Sequence, residues 1–249
     1  MRHRKDSNPS IDGAVANGVF RRYNVCAMTV ASPSRPRPPR QFDNGAEWLA
    51  ALGGIPLSRI IFNPWPGTAT EADLLYMVDH EKRLCELVDQ TLVEKAVGYW
   101  EGIVAANIIA LLTAFVNPRR LGAVSGADST MRMKSGRVRL PDVAFVSKDR
   151  LPKSLEPIPS LAPDLAIEVL SEGNTDEEMR QKLVEYFQSG TRLAWLVDPS
   201  TRSVAVYISA TDSVGVFGES DKLDGGTVLP GLTISVADLF LNVPQAQQD

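Results

Sequence analysis

The sequence predicts one α/β domain with a mixed β-sheet, and three observations support this prediction. Short apolar runs rich in β-branched residues recur along the chain, as expected for strands. Two longer segments, 99–116 and 175–189, are instead typical of helices. No segment is repeated. The elements follow the order helix, three strands, helix and strand, with a hairpin before them and further strands after, which favours a single domain.

The N-terminal region is predicted to be disordered over residues 1–42. Its stretch SPSRPRPPR, residues 32–40, holds four prolines and no aliphatic side chain, so it favours an extended backbone without pairing. The apolar stretch 25–31 is too short and too far from the start for an export signal, so we expect a cytoplasmic protein. Met28 is an alternative start. Residues 43–69 read as a linker or short extension, and 70–243 as the folded domain.

The first elements are indicated by their capping and turn residues. Thr70 is a helix cap followed by acids, which predicts a short helix through Met77. Cys85–Lys95 divides around Asp89 and Gln90 into two strand-like runs, which predicts a hairpin. A long helix is predicted over 99–116, and Asn117-Pro118 should end it because proline disfavours helix at the preceding residue. Its apolar part is too short to span a bilayer.

The middle of the chain predicts strands, a loop and a helix. Residues 122–133 and 137–147 read as two strands, 152–163 as a proline-punctuated loop, and 164–170 as a third strand. The helix predicted over 175–189 begins with the capping-box pattern of Thr175 and Glu178.

The last part of the chain predicts two strands, 193–197 and 203–208. A turn follows at Asp224-Gly225-Gly226, and a short final element covers 234–241.

Composition excludes several classes of site. The 249 residues include two cysteines and two histidines, so a disulfide scaffold or a Cys/His zinc site is not expected. His3 lies in a polar tail, which also argues against a Ser-His-Asp triad. If the protein is an enzyme, carboxylates, lysines or hydroxyls must do the chemistry.

The charge is distributed unevenly. Residues 1–40 hold eight lysines and arginines against two acids, whereas the whole chain has a net charge of −4. Nucleic-acid binding would therefore need a local basic patch. The stretch 131–153 offers one, with Arg137, Arg139 and Lys148 as candidate DNA contacts. A solvated hairpin explains the same pattern equally well.

Two acids stand out within predicted strands. Asp142 follows Pro141 in mid-strand, where aspartate is unusual and proline indicates an edge or a bulge. Glu168 shares a strand face with Asp164 and Ala166 and is costly to bury unless a positive charge meets it. A divalent cation would satisfy both acids. The alternative for Asp142 is an ion pair with a neighbouring arginine, and for Glu168 it is a buried ion pair with Arg139.

Lys182 lies on the flank of the apolar stripe of the following helix, from which it can reach a carboxylate or extend into solvent. Two acids and a lysine suit phosphodiester hydrolysis. The carboxylates would hold one or two Mg²⁺ or Mn²⁺ ions, and the ammonium would orient a water or neutralise developing charge.

These motifs resemble a known family. Four motifs occur in the order seen in the Uma-two family of restriction endonucleases, within the PD-(D/E)xK nuclease superfamily. They are RVRLPDVAF, APDLAIEVLS, QKLVEYFQSGTRLAWLVDP and LDGGTVLPG. The resemblance covers about residues 68–241 and implies a restriction-endonuclease-like αβββαβ core. The chain departs from the superfamily pattern at Leu170, where a lysine is usual. In several branches that lysine has moved to the next helix, as Lys182 would have here.

The resemblance also implies roles for individual residues. Asp142, Glu168 and the carbonyl of Val169 would bind the metal, and Lys182 would activate the water. Glu101 would complete the site through a metal-bound water. The implied function is a Mg²⁺-dependent endonuclease acting on DNA, and we expect a homodimer because enzymes that cut both strands often dimerise. The alternatives are an inactive nuclease-fold binding module and a plain interaction domain, in which Lys182 would point away from both acids.

Overall fold

A computed structural model describes residues 42–245. All of these residues belong to one compact unit of the chain. The predictions of disorder up to residue 42 and of an alternative start at Met28 therefore concern residues outside the described part, except for Phe42 itself.

The segment predicted as a linker contains structure. Helix α1, Gly45–Ala51, is capped by Asn44, and strand β1 is Ile60–Ile61. Ile55 and Ile60 are buried in a small core shared with the later hairpin. No periodic pattern marks these elements in the sequence, because the segment is short and its packing partners lie far along the chain.

The next elements match their predicted positions. Helix α2, Glu71–Tyr76, begins with a capping box in which Thr70 and Asp73 bind each other's backbone N–H, and a π-helical turn follows. Strands β2, Cys85–Val88, and β3, Thr91–Glu94, form the predicted hairpin. Its two turn residues have positive φ angles, as a tight hairpin turn requires.

Helix α3, Tyr99–Arg119, is longer than predicted. It continues through Asn117-Pro118 and ends where Arg120 adopts a left-handed conformation. Pro118 lies in the last turn, where its missing N–H costs only one hydrogen bond. Among the described helices only α3 is long and apolar enough to cross a membrane, but a stripe at every fourth position is buried against the main sheet: Val104, Ile108, Leu112 and Val116.

The two strands predicted before residue 150 are each divided in two. The first becomes β4, Gly122–Gly126, and β5, Met131–Arg132. The second becomes β6, Val138–Arg139, and β7, Val143–Ser147, and Pro141 lies in the break. Proline cannot donate to a strand ladder, so the chain leaves one sheet there and enters another.

The C-terminal strands complete the sheets. They are β8, Leu165–Val169; β9, Leu193–Asp198; β10, Ser203–Tyr207; β11, Ser213–Phe217; β12, Lys222–Gly225; and β13, Leu229–Ser235. Strands β11, β12 and β13 had not been predicted. The turn at Asp224-Gly225-Gly226 is present at the end of β12, and the final element is helix α5, Val236–Leu239.

The main sheet is mixed, as predicted. Its six strands lie in the order β11-β10-β9-β8-β7-β4, with β8 and β9 parallel and the other pairs antiparallel. A second sheet has the order β1-β3-β2-β6-β5, and β12 pairs with β13.

Helices cover the two faces of the main sheet. Leu165, Ile167 and Val169 of β8 pack in the core that contains the buried stripe of α3. The opposite face of β8 packs against helix α4, Asp176–Ser189, where Ala166 meets Leu183. The alternation predicted for β8 is therefore present, and Glu168 faces α4. The capping box predicted for α4 is half formed: Thr175 accepts from the Glu178 N–H, while the Glu178 carboxylate binds Arg59.

Candidate active site

Asp142 immediately precedes β7, and Glu168 lies in the neighbouring strand β8. Val143 pairs with Ile167 across β7 and β8, so Asp142 and Glu168 are each one residue beyond an antiparallel pair and extend its register. The Asp142 Oδ2 atom accepts a hydrogen bond of 2.8 Å from the backbone N–H of Val169. Because the N–H and C=O of one strand residue point to the same neighbouring strand, the Val169 carbonyl also faces the side of β8 on which Asp142 lies.

Glu168 is buried and has a partner for each carboxylate oxygen. Lys182 lies 3.2 Å from its Oε2 atom, and the Tyr186 hydroxyl donates to Oε1. Burial raises the pKa of Glu168 above its ordinary value, and the positive charges of Lys182 and Lys95 oppose that effect. The alternative to metal binding at Glu168 is thus an ion pair with Lys182, not with Arg139.

Lys182 is held between two carboxylates. Its ammonium lies 3.1 Å from Glu86 and 3.2 Å from Glu168, and its side chain is 2% exposed. Burial alone would lower the pKa of Lys182, but Glu168, Glu86 and Glu178 raise it, so the group is a fixed cation at neutral pH. The interaction-domain alternative required Lys182 to point away from both acids, and this contact contradicts that requirement.

Asp142 is bound by a second lysine that the sequence analysis did not select. The Lys95 ammonium lies 2.7 Å from Asp142 Oδ1 and also donates to the Leu140 carbonyl. Lys95 follows β3 and reaches the site from the second sheet. The Asp142 side chain is 14% exposed, against 5% for Glu168, so the site opens to solvent beside Asp142.

Arg139 is not available for the predicted contact with nucleic acid. It is 3% exposed, and its guanidinium binds Glu185 through two nitrogens and Glu86 at 2.7 Å. A desolvated arginine with these partners belongs to a buried ionic network, which corrects the prediction for this residue. Arg137 lies at the edge of the same network, bound to Asp89 and Glu185.

The basic stretch is largely neutralised by ion pairs. Arg132 binds Glu71, and Arg150 binds Asp164, in addition to the pairs of Arg137 and Arg139. The exposed cations of the stretch are Lys134, Lys148 and Lys153. Lys148 follows β7 at the end away from Asp142, six residues or about 20 Å along an extended chain. It is exposed, as a DNA contact requires, but it does not adjoin the acids.

Glu101 lies in the first turn of α3, on the other side of the main sheet from α4. It is half-buried, and within residues 42–245 its carboxylate has no hydrogen-bond or ion-pair partner. No described contact joins Glu101 to Asp142 or Glu168, so its role stays a prediction.

The oxygen atoms at this site fit a hard divalent cation in kind. Two carboxylates and a backbone carbonyl, at the same end of the β7–β8 pair, are ligands that Mg²⁺ and Mn²⁺ prefer. Within the described part of the chain, no three histidine, cysteine or acidic side chains cluster as a ready-made metal site. The two acids are already paired with Lys95 and Lys182, so a metal ion would either share their carboxylates with the ammonium groups or replace one of these groups.

Sequence reasoning missed three residues of the site: Glu86, Lys95 and Tyr186. Glu86 is a lone acid in the apolar strand CELV, the same signal that identified Glu168, and that signal could have found it. Lys95 reads as a charge at a strand end, and Tyr186 as part of the apolar stripe of α4. Only long-range packing reveals their contacts.

Comparisons with known proteins agree with this fold. Residues 70–237 match the model of the Uma2 family, which is described as "Putative restriction endonuclease". A crystal structure from Anabaena variabilis, described as a putative nuclease belonging to DUF820, aligns with a TM-score of 0.57 and 20% sequence identity. The alignment covers 63% of this chain and 89% of that chain. No curated protein matches the chain. The likeness confirms the predicted restriction-endonuclease-like fold.

Proposed function

Because the chain belongs to the Uma2 family of restriction-endonuclease-type proteins, we propose that it is a metal-dependent endonuclease that hydrolyses DNA phosphodiester bonds. The observation that supports this proposal most is the convergence of Asp142, Glu168 and Lys182. They come from the residue before β7, from β8 and from α4, and Lys182 lies 3.2 Å from Glu168.

Three oxygen ligands would hold the metal: the carboxylates of Asp142 and Glu168 and the carbonyl of Val169. A bound Mg²⁺ or Mn²⁺ supplies Lewis-acid polarisation of a phosphoryl oxygen and lowers the pKa of a bound water. The protein keeps Glu168 in one orientation through Tyr186 and Lys182. It orients Asp142 through the Val169 N–H, so the two carboxylates stay fixed relative to each other.

Lys182 supplies a positive charge to the site. Without a metal ion, the neighbouring carboxylates raise the pKa of Lys182, and this keeps the ammonium protonated. Its chemical role is to orient the attacking water and to stabilise negative charge that develops on the phosphate. This refines the water-activating role that the family resemblance implied.

A cleavage assay tests the proposal. Supercoiled plasmid and short duplexes are incubated with the wild-type protein and with Glu168→Gln, in Mg²⁺, Mn²⁺ or EDTA. We expect metal-dependent cleavage by the wild type and a loss of at least about 100-fold in the variant, because removing one electrostatic group at a reacting centre typically costs this much.

The matched control is Glu177→Gln. Glu177 is on the same helix as Lys182, but its partners are Arg180 and Gln181, away from the site. This variant should cleave like the wild type. Absence of metal-dependent cleavage by the wild type on all substrates would contradict the proposed function.

An inactive nuclease-fold binding module is the second candidate. Two observations favour it: Leu170 stands where the superfamily usually has lysine, and Lys95 already neutralises Asp142. In that case the protein would bind DNA with the same affinity in Mn²⁺ and in EDTA and would leave it intact.

A further inference from the structure

Lys95 makes the contacts that a bound cation would make. Its ammonium, on a side chain 3% exposed, donates to the Asp142 carboxylate at 2.7 Å and to the Leu140 carbonyl. A carboxylate oxygen and a backbone carbonyl oxygen are also typical ligands of a hard metal ion. The ammonium and the ion therefore compete for one carboxylate.

The charges around Lys95 explain why the site needs a cation at this point. Asp142 and Glu168 face the same side of the sheet. Glu86, which binds Lys182 together with Glu168, adds a third negative charge. Besides binding Asp142, Lys95 acts electrostatically on Glu168 and Glu86 and favours the ionised form of both against the effect of burial. Without a positive charge here, the neighbouring carboxylates would repel each other.

Of the two lysines, Lys95 is the one that an incoming ion can displace. Lys182 is bound by two carboxylates and lies deeper, beside the 5% exposed Glu168. Lys95 is bound by one carboxylate, beside the more exposed Asp142. It also stands between β3 and α3, where residues 95–98 belong to no helix or strand, so its backbone is free of ladder constraints beyond its bond to Leu84.

We propose that the Lys95 ammonium is the resident cation of this site, and that a divalent ion binds by displacing it from Asp142. Lys95 then sets the metal affinity of the protein, because each binding event must break the Lys95–Asp142 pair. This inference rests on the proposed function, since it takes Asp142 as a metal ligand.

Calorimetric titration with Mn²⁺ in the absence of DNA tests this inference. Lys95→Met and Lys95→Gln both remove the competing charge, and glutamine keeps a hydrogen-bond donor for Leu140 in case the apolar variant does not fold. We expect Mn²⁺ to bind either variant at least about tenfold more tightly than the wild type, equivalent to about 1.4 kcal/mol. Lys153→Met, a change at an exposed lysine, should leave the affinity unchanged.

Thermal melting gives a second readout. In EDTA both variants should melt at a lower temperature than the wild type, since Asp142 loses its partner. Saturating Mn²⁺ should raise the melting temperature of the variants more than it raises that of the wild type. Unchanged or weaker Mn²⁺ binding by a folded Lys95 variant would overturn the inference.

The two proposals fail separately. A wild-type protein that cleaves DNA with Mn²⁺, combined with unaltered affinity in the Lys95 variants, removes only the role of Lys95. Tighter Mn²⁺ binding by these variants without any cleavage removes the endonuclease and leaves Lys95 as the resident cation. Absence of Mn²⁺ binding in every variant overturns the inference about Lys95.

Discussion

Individual carboxylates in this protein are recognisable because each stands where its residue type is unusual. Asp142 beside Pro141 and Glu168 in an apolar strand could be selected from the sequence, since burying such a group without a partner is costly. The identity of the partner could not be predicted in the same way. Glu168 meets Lys182 and Tyr186, and Asp142 meets Lys95, through packing between elements far apart in the sequence.

Asp164 allows a test of buried carboxylates away from the site. It is fully buried and accepts from the Ser147 N–H at 2.7 Å, from Arg150 at 2.6 Å and from Arg192 at 2.9 Å. Burial alone would raise the pKa of Asp164, but these donors lower it below its ordinary value of 3.8. The unfolded chain therefore takes up the proton first as the pH falls, and stability decreases.

Asp164→Asn should lower the free energy of unfolding at pH 7 by about 2 to 4 kcal/mol, because two arginines lose their common carboxylate. Its stability should also fall less than that of the wild type between pH 5 and pH 2, since one of the groups that protonates in that window is gone. Urea denaturation across this pH range measures both effects. Asp79→Asn, at an exposed carboxylate, should change neither the free energy of unfolding at pH 7 nor its pH dependence. If Asp164→Asn lost as much stability as the wild type between pH 5 and pH 2, the stabilising role of the Asp164 carboxylate would be refuted.

Among the helices and strands, capping and turn residues predicted the elements that depend on neighbouring residues in the sequence. The caps at Thr70 and Thr175 and the turn at Asp89-Gln90 marked two helices and a hairpin correctly. The division of 122–133 and 137–147 between two sheets was missed, because strand pairing depends on residues far away in sequence. Helix α3 continues past Pro118 because packing of its apolar stripe outweighs one lost hydrogen bond.

The buried stripe of α3 should contribute strongly to the stability of the fold. Leu112 is fully buried against the main sheet, so Leu112→Ala should lower the free energy of unfolding by about 2 to 5 kcal/mol through lost apolar contacts and a cavity. Its neighbour Leu111 is only partly buried, and Leu111→Ala should cost clearly less. Chemical denaturation of both variants compares them. Equal costs would show that α3 does not pack on the sheet through this stripe.

For the whole molecule, the family and the fold were the parts of the account that the sequence supported most fully. Four motifs in family order predicted the restriction-endonuclease-like fold, and the family match over residues 70–237 agrees with it. The charge pattern was less informative. A run of basic residues counts as a patch only if its charges are free, and Arg132, Arg137, Arg139 and Arg150 are each paired with an acid. The spacing of residues in the sequence does not show which arginines form ion pairs with acids.

The most direct test of the site is the position of a bound metal ion. Crystals of the wild-type protein grown with Mn²⁺ are measured at the manganese absorption edge, and an anomalous difference map locates the ion. We predict a peak at a coordination distance of about 2.1 Å from oxygens of Asp142, Glu168 and Val169, with the Lys95 ammonium moved away from Asp142. A map in which Lys95 still binds Asp142 and no peak lies between the two carboxylates, at saturating Mn²⁺, would contradict the account.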